Sequence, residues 1–466
     1  MGPMESWCDA LPGIIGHLSH RLAQVETERL RMPVNAYLVP SFDGDALQFS
    51  LPILVPRDLS TEIPLDARGI DGAVSAIIEG IKASAGQDRR LGPLYGAGTG
   101  FPARYRDALE PCTFVHSDSA MGGSLWKPDA GNFADPQGVH LTLCGALPNR
   151  PVERSEVRGI AGELGDLLQA AGEVVSGFPA DAMRDAWVNS LDQKLARDEL
   201  PGQGLVSFIG DGSRPARSFT GLRCFFRIAG PKEGISVPFV CPKELDPVEL
   251  VLPASNRRVA GLGIRRGEVL AIAGSNAQGK STLLQAVVAG QDDHAIGDGR
   301  ERILTVPGIA LAQGGSQGMA GDDVSLFFRR LPPGLEGSPG AVRGQGSSSL
   351  VMASQLQRAV YRGAPLCIFD EDSAAPNLLV PSCLQEGEVE VLSSLLARDR
   401  GALGGTALVF AAGALDILVA RADRILVLRN HEAGAVSPRE FRARLSAHLE
   451  EVLGHLKGGG RTGTGF

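Results

Sequence analysis

A glycine-rich segment between a short apolar run and a helix-like stretch limits the possible folds of this chain more than any other feature of its sequence. The apolar run is Val269–Ala273, and the residues from Thr282 onward favour a helix. The segment itself consists of Gly274, Ser275, Asn276, Ala277, Gln278, Gly279, Lys280 and Ser281. It matches the pattern GxxxxGK[ST] in the strand–loop–helix setting that the pattern requires. Because pattern and setting agree, the sequence predicts a phosphate-binding loop.

The residue types in this loop suit a nucleoside triphosphate. Glycines at 274 and 279 allow backbone N–H groups to surround phosphate oxygens, and the following helix N-terminus adds partial positive charge. We expect Lys280 to reach the β- and γ-phosphates and Ser281 to hold Mg²⁺. Residues 274–282 are therefore predicted to bind the nucleotide.

Two consecutive acids form the second motif. Leu366–Phe369 is an apolar run typical of a buried strand, and it ends in Asp370 and Glu371. An acid at such a strand end can hold Mg²⁺ through water, and the next acid can polarise the attacking water. Alone, an apolar run followed by two acids usually marks only the end of a strand. Together with the loop, it predicts a metal role for Asp370 and a catalytic role for Glu371.

A serine-rich segment, Arg343–Ser349, indicates the subclass. Ser347 lies 23 positions before Asp370, and a helix is predicted to follow it to about Tyr361. ABC-type ATPases place a signature serine at this distance, capping a helix that faces the γ-phosphate of the other subunit. Composition alone favours a flexible linker, but the spacing and the helix favour a degenerate signature. We therefore expect Ser347 and Ser348 to contact the nucleotide across a dimer.

Two further motifs of an ABC-type site are present in the sequence, and one expected histidine is missing. Gln313, after Ile309–Ala312, fits the position where an amide meets the metal and the attacking water, and we expect it to be both catalytic and metal-binding. Residues 373–377 would form the loop that crosses the dimer interface. The strand Thr406–Ala411 should end in a histidine that senses the γ-phosphate, but it runs into Ala-Gly-Ala. His294 and His431 are candidate substitutes, although lone histidines are more often surface or loop residues.

The whole chain is predicted to be an α/β protein with an ABC-type P-loop ATPase core. We divide it into a mixed α+β N-terminal domain (1–150), a helical linker region (151–204), the ATPase domain (205–456) and a flexible tail (457–466). The formal charge of −8 argues against general polyanion binding. Seven cysteines without a CxxC pair, no signal peptide and no membrane span predict a cytoplasmic protein.

Five segments carry a family pattern: Gly204–Ser213, Pro215–Arg217, Gly261–Ile264, His294–Glu301 and Asp370–Asn377. With them, from about residue 141 to 448, the chain resembles the predicted ATPases of the ABC class, standalone proteins of bacteria and some eukaryotic organelles. Members of that family also lack the switch histidine. The departures are the pair at 277–278, usually an aromatic residue and histidine, Gln313 for glutamate, and Pro376 in the interface loop.

The resemblance implies a head-to-tail homodimer that encloses two ATP molecules with Mg²⁺ and surrounds a basic central pore. It also raises RNA as a partner, because an organellar relative is associated with RNA binding. Four arginines are candidate contacts to an RNA backbone by their position in the sequence, although a surface or nucleotide-facing ion pair is the better reading of each. These candidates are Arg214, Arg217, Arg300 and Arg302.

Four functions remain open: an ATP-driven switch acting on RNA or a ribonucleoprotein, a transporter subunit, a chromosome-maintenance ATPase, and an ATP-dependent scaffold with little hydrolysis. Only 34 positions separate Gln313 from Ser347, which is short for a subdomain that grips membrane proteins and cannot supply a long coiled coil. No transmembrane partner is therefore expected. Phe239 is a candidate to stack on adenine, although a core phenylalanine is the better reading.

Overall fold

The computed structural model describes residues 37–40, 46–64, 68–95, 132–148, 154–217, 232, 234, 236–385 and 387–458. Apolar residues at near-helical spacing predict a helix around residues 14–25, and a segment rich in glycine and proline predicts a loop at 92–104. This helix, most of this loop and most of the predicted tail lie outside the described residues.

The first part of the chain forms an antiparallel sheet covered by helices. The strand order is β1-β2-β4-β3, and β2 and β4 pair along nearly their full lengths. Val74, Ile77 and Ile81 on the first helix are buried because their helical spacing places them on one face. The elements are β1 (Tyr37–Pro40), β2 (Ala46–Val55), β3 (Phe133–Asp135), β4 (Gly138–Pro148), α1 (Ile70–Ala85) and α2 (Arg154–Gly177).

Helix α3 (Ala180–Glu199) joins this part to the rest of the chain. Lys194 forms an ion pair with Asp71 on α1. Three residues along, Arg197 donates to the backbone oxygens of Gly290 (3.1 Å) and Asp292 (2.9 Å). Since these groups lie on different elements, α3 ties the N-terminal helices to the segment after the phosphate loop.

From residue 205 onward the chain has the short strands and intervening helices of an α/β core. The strands are β5 (Leu205–Gly210), β6 (Val248–Leu252), β7 (Arg257–Arg265), β8 (Val269–Ala273), β9 (Ile303–Thr305), β10 (Ala310–Leu311), β11 (Gln317–Asp322), β12 (Glu336–Ser338), β13 (Ala341–Gly346), β14 (Leu366–Asp370), β15 (Ala407–Ala412), β16 (Arg424–Arg429) and β17 (Glu432–Val436). The helices are α4 (Lys280–Ala289), α5 (Ser348–Tyr361), α6 (Pro376–Leu379), α7 (Leu392–Arg398), α8 (Asp416–Val419) and α9 (Pro438–Gly458).

The central sheet has the order β10-β14-β15-β8-β16-β17, and all its neighbours are parallel except β16 and β17. Strand β8 shows why the sheet is covered on both faces. Leu270 and Ile272 pack with α4 and the antiparallel sheet β6-β7-β5-β9, whereas Val269 and Ala271 pack with α5 on the other face. The predicted α/β class is confirmed.

The segment between Gln313 and Ser347 folds as a three-stranded antiparallel sheet, β11-β13-β12. Met319 and Val342 are buried side chains of this sheet and pack in the same core cluster as α5. In place of a long coiled coil, the interval therefore holds a small sheet, and β13 leads directly into α5.

The sequence Ser437–Glu440 predicts the start of a helix, with a capping serine, a proline at the first helical position and a capping-box acid, and α9 begins there. Ser437 Oγ accepts a hydrogen bond from Glu440 N at 3.2 Å, and Pro438 is the first helical residue. The helix continues to Gly458, two residues into the predicted tail, and 459–466 lie outside the described residues. Among the described residues, no helix combines the length and apolar character needed to cross a membrane.

Candidate nucleotide-binding site

The predicted phosphate loop lies between β8 and α4, and its backbone requires small residues. Gly274 has φ +151°, and a Cβ there would stand 2.6 Å from the Leu428 carbonyl oxygen. Gly279 has φ +95°, and Ala277 also has a positive φ of 61°. These positive-φ conformations fold the chain into a tight cradle ahead of the helix N-terminus.

Helix α4 begins at Lys280, two residues earlier than Thr282, where the sequence suggested that it starts. Lys280, Ser281 and Thr282 therefore form its first turn, whose N–H groups have no partner within the helix. The ammonium of Lys280 turns back over the loop and donates to the carbonyl oxygens of Gly274 (2.7 Å) and Ser275 (2.9 Å). Its charge is thus held across the mouth of the cradle.

The two predicted acids lie at the carboxyl end of β14. Asp370 is the last residue of that strand, and its Oδ1 accepts from Asp372 N at 3.4 Å. The Glu371 carboxylate accepts a hydrogen bond from Gly413 N and further bonds from Ala414 N at 3.1 Å. The turn after β15 therefore holds Glu371 with two backbone donors.

Lys280 and Glu371 meet at Gly413. A Cβ on Gly413 would lie 3.4 Å from Glu371 Oε2, 3.5 Å from Lys280 Nζ and 3.7 Å from Gly274 O. In the sequence, this turn is notable only as the place of a missing histidine. Nothing in the sequence indicates that the backbone N–H groups of Gly413 and Ala414 contact the predicted catalytic acid. The glycine after the strand was the one available signal.

Gln313 lies beside the two acids because β10 is the neighbour of β14. Its backbone N–H donates to Gln355 Oε1 on α5 at 2.7 Å, and the next N–H, of Gly314, donates to Ser373 O at 2.7 Å. These two hydrogen bonds fix the backbone of Gln313 against α5, the predicted signature helix, and against residues 373–377, the predicted interface loop. Neither bond involves the side-chain amide of Gln313. The metal and water roles that the sequence predicts for that amide therefore stay a prediction.

The interface loop and the signature helix are joined directly. Ser349 Oγ hydrogen-bonds Asn377 Oδ1 at 2.8 Å, and Ser348 Oγ comes so close to Gly314 that a Cβ there would overlap it. Pro376, which departs from the family pattern, is the first residue of α6. A proline is well suited to that position because the first helical N–H has no partner in the helix.

Ser347 is the residue that the structure does not bring to the loop. It precedes α5, is exposed, and makes no side-chain capping bond. The start of α5 lies against the segment after β10, and β10 is three strands from β8 in the sheet. At the usual spacing of strands, that separation is about 14 Å. Ser347 and Ser348 therefore lie apart from the phosphate loop of their own chain.

The two candidate histidines lie in different surroundings. His294 is only 2% exposed, and its Nε2 lies 3.0 Å from the backbone oxygen of Ala289. Burial, reinforced by the charge of Arg300, lowers its pKa to about 4. As a buried, neutral ring, His294 cannot face a γ-phosphate, so that suggestion is wrong. His431 is exposed, and its Nδ1 would lie 3.5 Å from a Cβ on Gly279.

Two of the four arginines considered for RNA are buried in ion pairs. Arg217 and Arg300 are 5% and 1% exposed, and they bind Asp298 at 2.9 Å and 2.6 Å. Burial tends to raise the pKa of Asp298, but the hydrogen bond and charge of Arg300 hold it well below its usual range. Because both are buried, Arg217 and Arg300 are not available to an RNA backbone. Each forms an ion pair, but a buried one, and not the surface or nucleotide-facing pair that was the alternative.

The two remaining arginines and the candidate adenine-stacking residue, Phe239, contact neighbouring parts of their own chain. Arg302 donates to the Asp211 backbone oxygen at 3.0 Å, and Arg214 donates to that of Ser236. Phe239 is 5% exposed and belongs to the core cluster of the antiparallel sheet. It is a core phenylalanine, which was the better reading of the sequence, and offers no face to a base.

The residues present fit a magnesium nucleotide. A Cβ on Gly274 would clash with the Leu428 carbonyl oxygen, and the positive φ of Gly279 disfavours larger residues. A helix N-terminus and Lys280 supply positive charge for phosphate oxygens. For the metal, the hydroxyl of Ser281 and the carboxylate of Asp370 are hard oxygen donors. Mg²⁺ is usually held by one or two such groups together with substrate phosphates.

Comparisons with known proteins agree with this geometry. The family model described as ABC_ATPase, P-loop domain, matches residues 179–455. The chain is also similar to the uncharacterized protein MJ1628 of Methanocaldococcus jannaschii, with 37% identity over 425 residues, covering 91% of this chain and 92% of that protein.

Solved ABC proteins show weaker likeness. The chain is 17% identical to cbiO1 from Clostridium perfringens, part of the ABC transporter complex cbiONQ, with a TM-score of 0.32, covering 55% of this chain and 99% of that one. It is 15% identical to MJ1267, an ATP-binding cassette of an ABC transporter in its ADP conformation, with a TM-score of 0.26, covering 41% and 90%. Both TM-scores are below 0.5, so the assignment rests on the sequence matches: the chain belongs to the ABC-class P-loop ATPase family.

Proposed function

We propose that this protein binds ATP with Mg²⁺ at residues 274–282 and hydrolyses it in a head-to-tail homodimer. The observation that carries the proposal is the meeting of Lys280 and Glu371 at Gly413. A cation for the terminal phosphates and a carboxylate for the attacking water are the two groups that phosphoryl transfer to water needs side by side. Membership of the ABC class supports ATP as the nucleotide.

Each residue then has a defined task. The backbone N–H groups of the loop and of the first turn of α4 bind the β- and γ-phosphates, and Lys280 moves from its carbonyl partners onto them. Glu371 orients a water molecule and accepts its proton, while Gly413 and Ala414 hold the carboxylate in place. When bound by Ser281, Asp370 and Gln313, Mg²⁺ would neutralise charge on the phosphates.

The position of Ser347 supports a dimer. The exposed N-terminus of α5, about 14 Å from the phosphate loop across the sheet, cannot reach the nucleotide of its own chain without breaking the strand order. A second subunit in the opposite orientation would bring its Ser347 and Ser348 to this γ-phosphate. Two sites would form together, so ATP binding would close the dimer and hydrolysis would open it.

The target of this switch is a separate part of the proposal. The sheet β11-β13-β12 stands where ABC transporter subunits carry a helical subdomain that grips membrane proteins, which supports a role without a transmembrane partner. RNA or a ribonucleoprotein in the cytoplasm is the target we favour, and Arg214 and Arg302 remain as candidate contacts. The alternative is an ATP-dependent scaffold with little hydrolysis, because no histidine follows β15.

The test is the variant Glu371→Gln, with Asp372→Asn as its matched control. Both changes replace a carboxylate by an amide in adjacent residues, but only Glu371 accepts hydrogen bonds from the turn after β15 among the described residues. We expect Glu371→Gln to lower ATP turnover at least about a hundredfold and to accumulate a dimer with ATP–Mg²⁺ on size-exclusion chromatography. The control should turn over ATP like the wild type and dimerise only transiently.

Different failures identify different parts of the proposal. A Glu371→Gln protein that stays monomeric in saturating ATP–Mg²⁺ contradicts the composite site. A Lys280→Ala protein that binds ATP as tightly as the exposed-lysine control Lys243→Ala contradicts the phosphate-loop assignment. Wild-type protein that dimerises with ATP without measurable turnover supports the scaffold. RNA that copurifies only with the Glu371→Gln dimer, and disappears after nuclease treatment, supports the RNA-directed switch.

A further inference from the structure

We propose that the imidazole ring of His431 stacks against the base of the bound nucleotide. This inference rests on the proposed function, since it concerns the same site. It assigns a nucleoside contact to a residue that lies 150 positions or more from the phosphate loop in sequence. Three observations carry it: the turn is fixed to the loop, it lies on the side of β8 away from Glu371 and Gly413, and its ring is exposed.

The turn that carries His431 is attached to the phosphate loop. Asn430 and His431 form the two-residue connection between β16 and β17, and both have positive φ values, 52° and 68°. Such values are typical of the tight turn that suits the twist of a hairpin. The Asn430 backbone N–H donates to the side-chain oxygen of Gln278, within the loop. The ring is thus held beside Gly279, where its Nδ1 would be 3.5 Å from an added Cβ.

The order of the strands gives the direction of the nucleotide. Strand β8, which leads into the loop, has β15 on one side and β16 on the other. Glu371 and Gly413, which mark the γ-phosphate end, belong to the β15 side. A triphosphate that follows the loop away from them therefore directs its nucleoside toward β16 and its turn. His431 lies on that side, so it is badly placed to sense the γ-phosphate but well placed to meet the base.

The ring also has the right chemistry for this contact. It is exposed and aromatic, and a base stacked on an aromatic side chain contributes enough to change binding measurably. Phe239, the aromatic residue that the sequence offered for this task, is buried in the core. His431 is held beside Gly279, whereas the rings of Phe441 and His448 line a pocket with Gly274 and Gly413.

The test compares ADP with inorganic pyrophosphate, which shares the two phosphates but lacks the nucleoside. Binding to the full chain is measured by titration calorimetry with Mg²⁺ for wild type, His431→Asn and His431→Gly. Asparagine and glycine both tolerate a positive φ, so either variant removes the ring without straining the turn. His455→Asn, an exposed histidine on α9, is the matched control.

We expect both His431 variants to bind ADP about tenfold more weakly than wild type while pyrophosphate binding stays within about twofold. The control should bind both ligands like the wild type. Unchanged ADP affinity in both variants overturns the inference. An equal loss for ADP and pyrophosphate also overturns it, because His431 would then support the phosphate loop. A wild type that binds neither ligand overturns the proposed function, and a wild type that binds both keeps that function whatever His431 does.

Discussion

Lowering the pH should destabilise this protein through His294, and the structure gives the size of the effect. The imidazole is 2% exposed and packs beside Arg300, and burial followed by that positive charge lowers its pKa from 6.5 to about 4. The unfolded chain therefore binds a proton more tightly than the folded one. The stabilisation contributed by the neutral ring is complete above pH 6.5 and is lost as the pH falls toward 4.

The magnitude follows from the two pKa values. One unit of difference corresponds to about 1.4 kcal/mol, so the full loss at low pH is about 3 kcal/mol. At about pH 5, where the unfolded histidine is almost fully protonated and the folded one is not, the loss relative to neutral pH is about 2 kcal/mol. A loss of that size is a substantial part of the stability of an ordinary domain.

The assay is urea denaturation at about pH 7 and about pH 5, followed by circular dichroism, on wild type and His294→Gln. The glutamine variant is less stable at both pH values because it loses packing and the contact with Ala289. What matters is the change between the two pH values, which should be about 2 kcal/mol smaller in the variant than in the wild type. His455→Asn, an exposed histidine, should behave like the wild type. Equal pH dependence in wild type and His294→Gln would refute the reasoning.

Two further changes test the loop and the last helix. Gly274→Ala places a Cβ 2.6 Å from the Leu428 carbonyl oxygen at φ +151°, so we expect ATP affinity to fall at least about tenfold and the melting temperature to drop. Gly315→Ala, where a Cβ meets nothing within 4 Å, is its control, and equal effects in the two would contradict the steric argument. Ser437→Ala removes the hydrogen bond to Glu440 N and should cost about 1 kcal/mol of unfolding free energy, whereas Ser446→Ala, exposed on the same helix, should cost little.

Much of the ATPase core could be predicted from local sequence. The strands β8, β14 and β15 begin and end within about one residue of the predicted apolar runs, because a strand buried on both faces needs a continuous apolar stretch. The last helix was predicted from its capping residues. The short strand β10 lies within the apolar segment Ile309–Ala312 that the sequence offers as a strand. The sheet β11-β13-β12 was not predicted, since glycine-rich segments with few apolar residues carry little periodic signal.

The candidate site was predicted only in part. The loop residues were found because their spacing is dictated by the phosphate groups they bind. The partners of Glu371 were missed because backbone N–H groups have no signature in the sequence. Gly413 and Ala414 lie 42 and 43 positions away and reach Glu371 only through the pairing of β14 with β15.

A phosphate loop, an acid pair and a parallel α/β sheet could be predicted from the sequence, because each depends on residues close together in the chain. Which distant residues contact these features depends on the tertiary structure. It placed His294, Arg217 and Arg300 in the interior and His431 beside Gly279, although all four are polar side chains in similar local settings. The physical reason is that burial and contact depend on how strands and helices pack, and charge alone does not specify that packing.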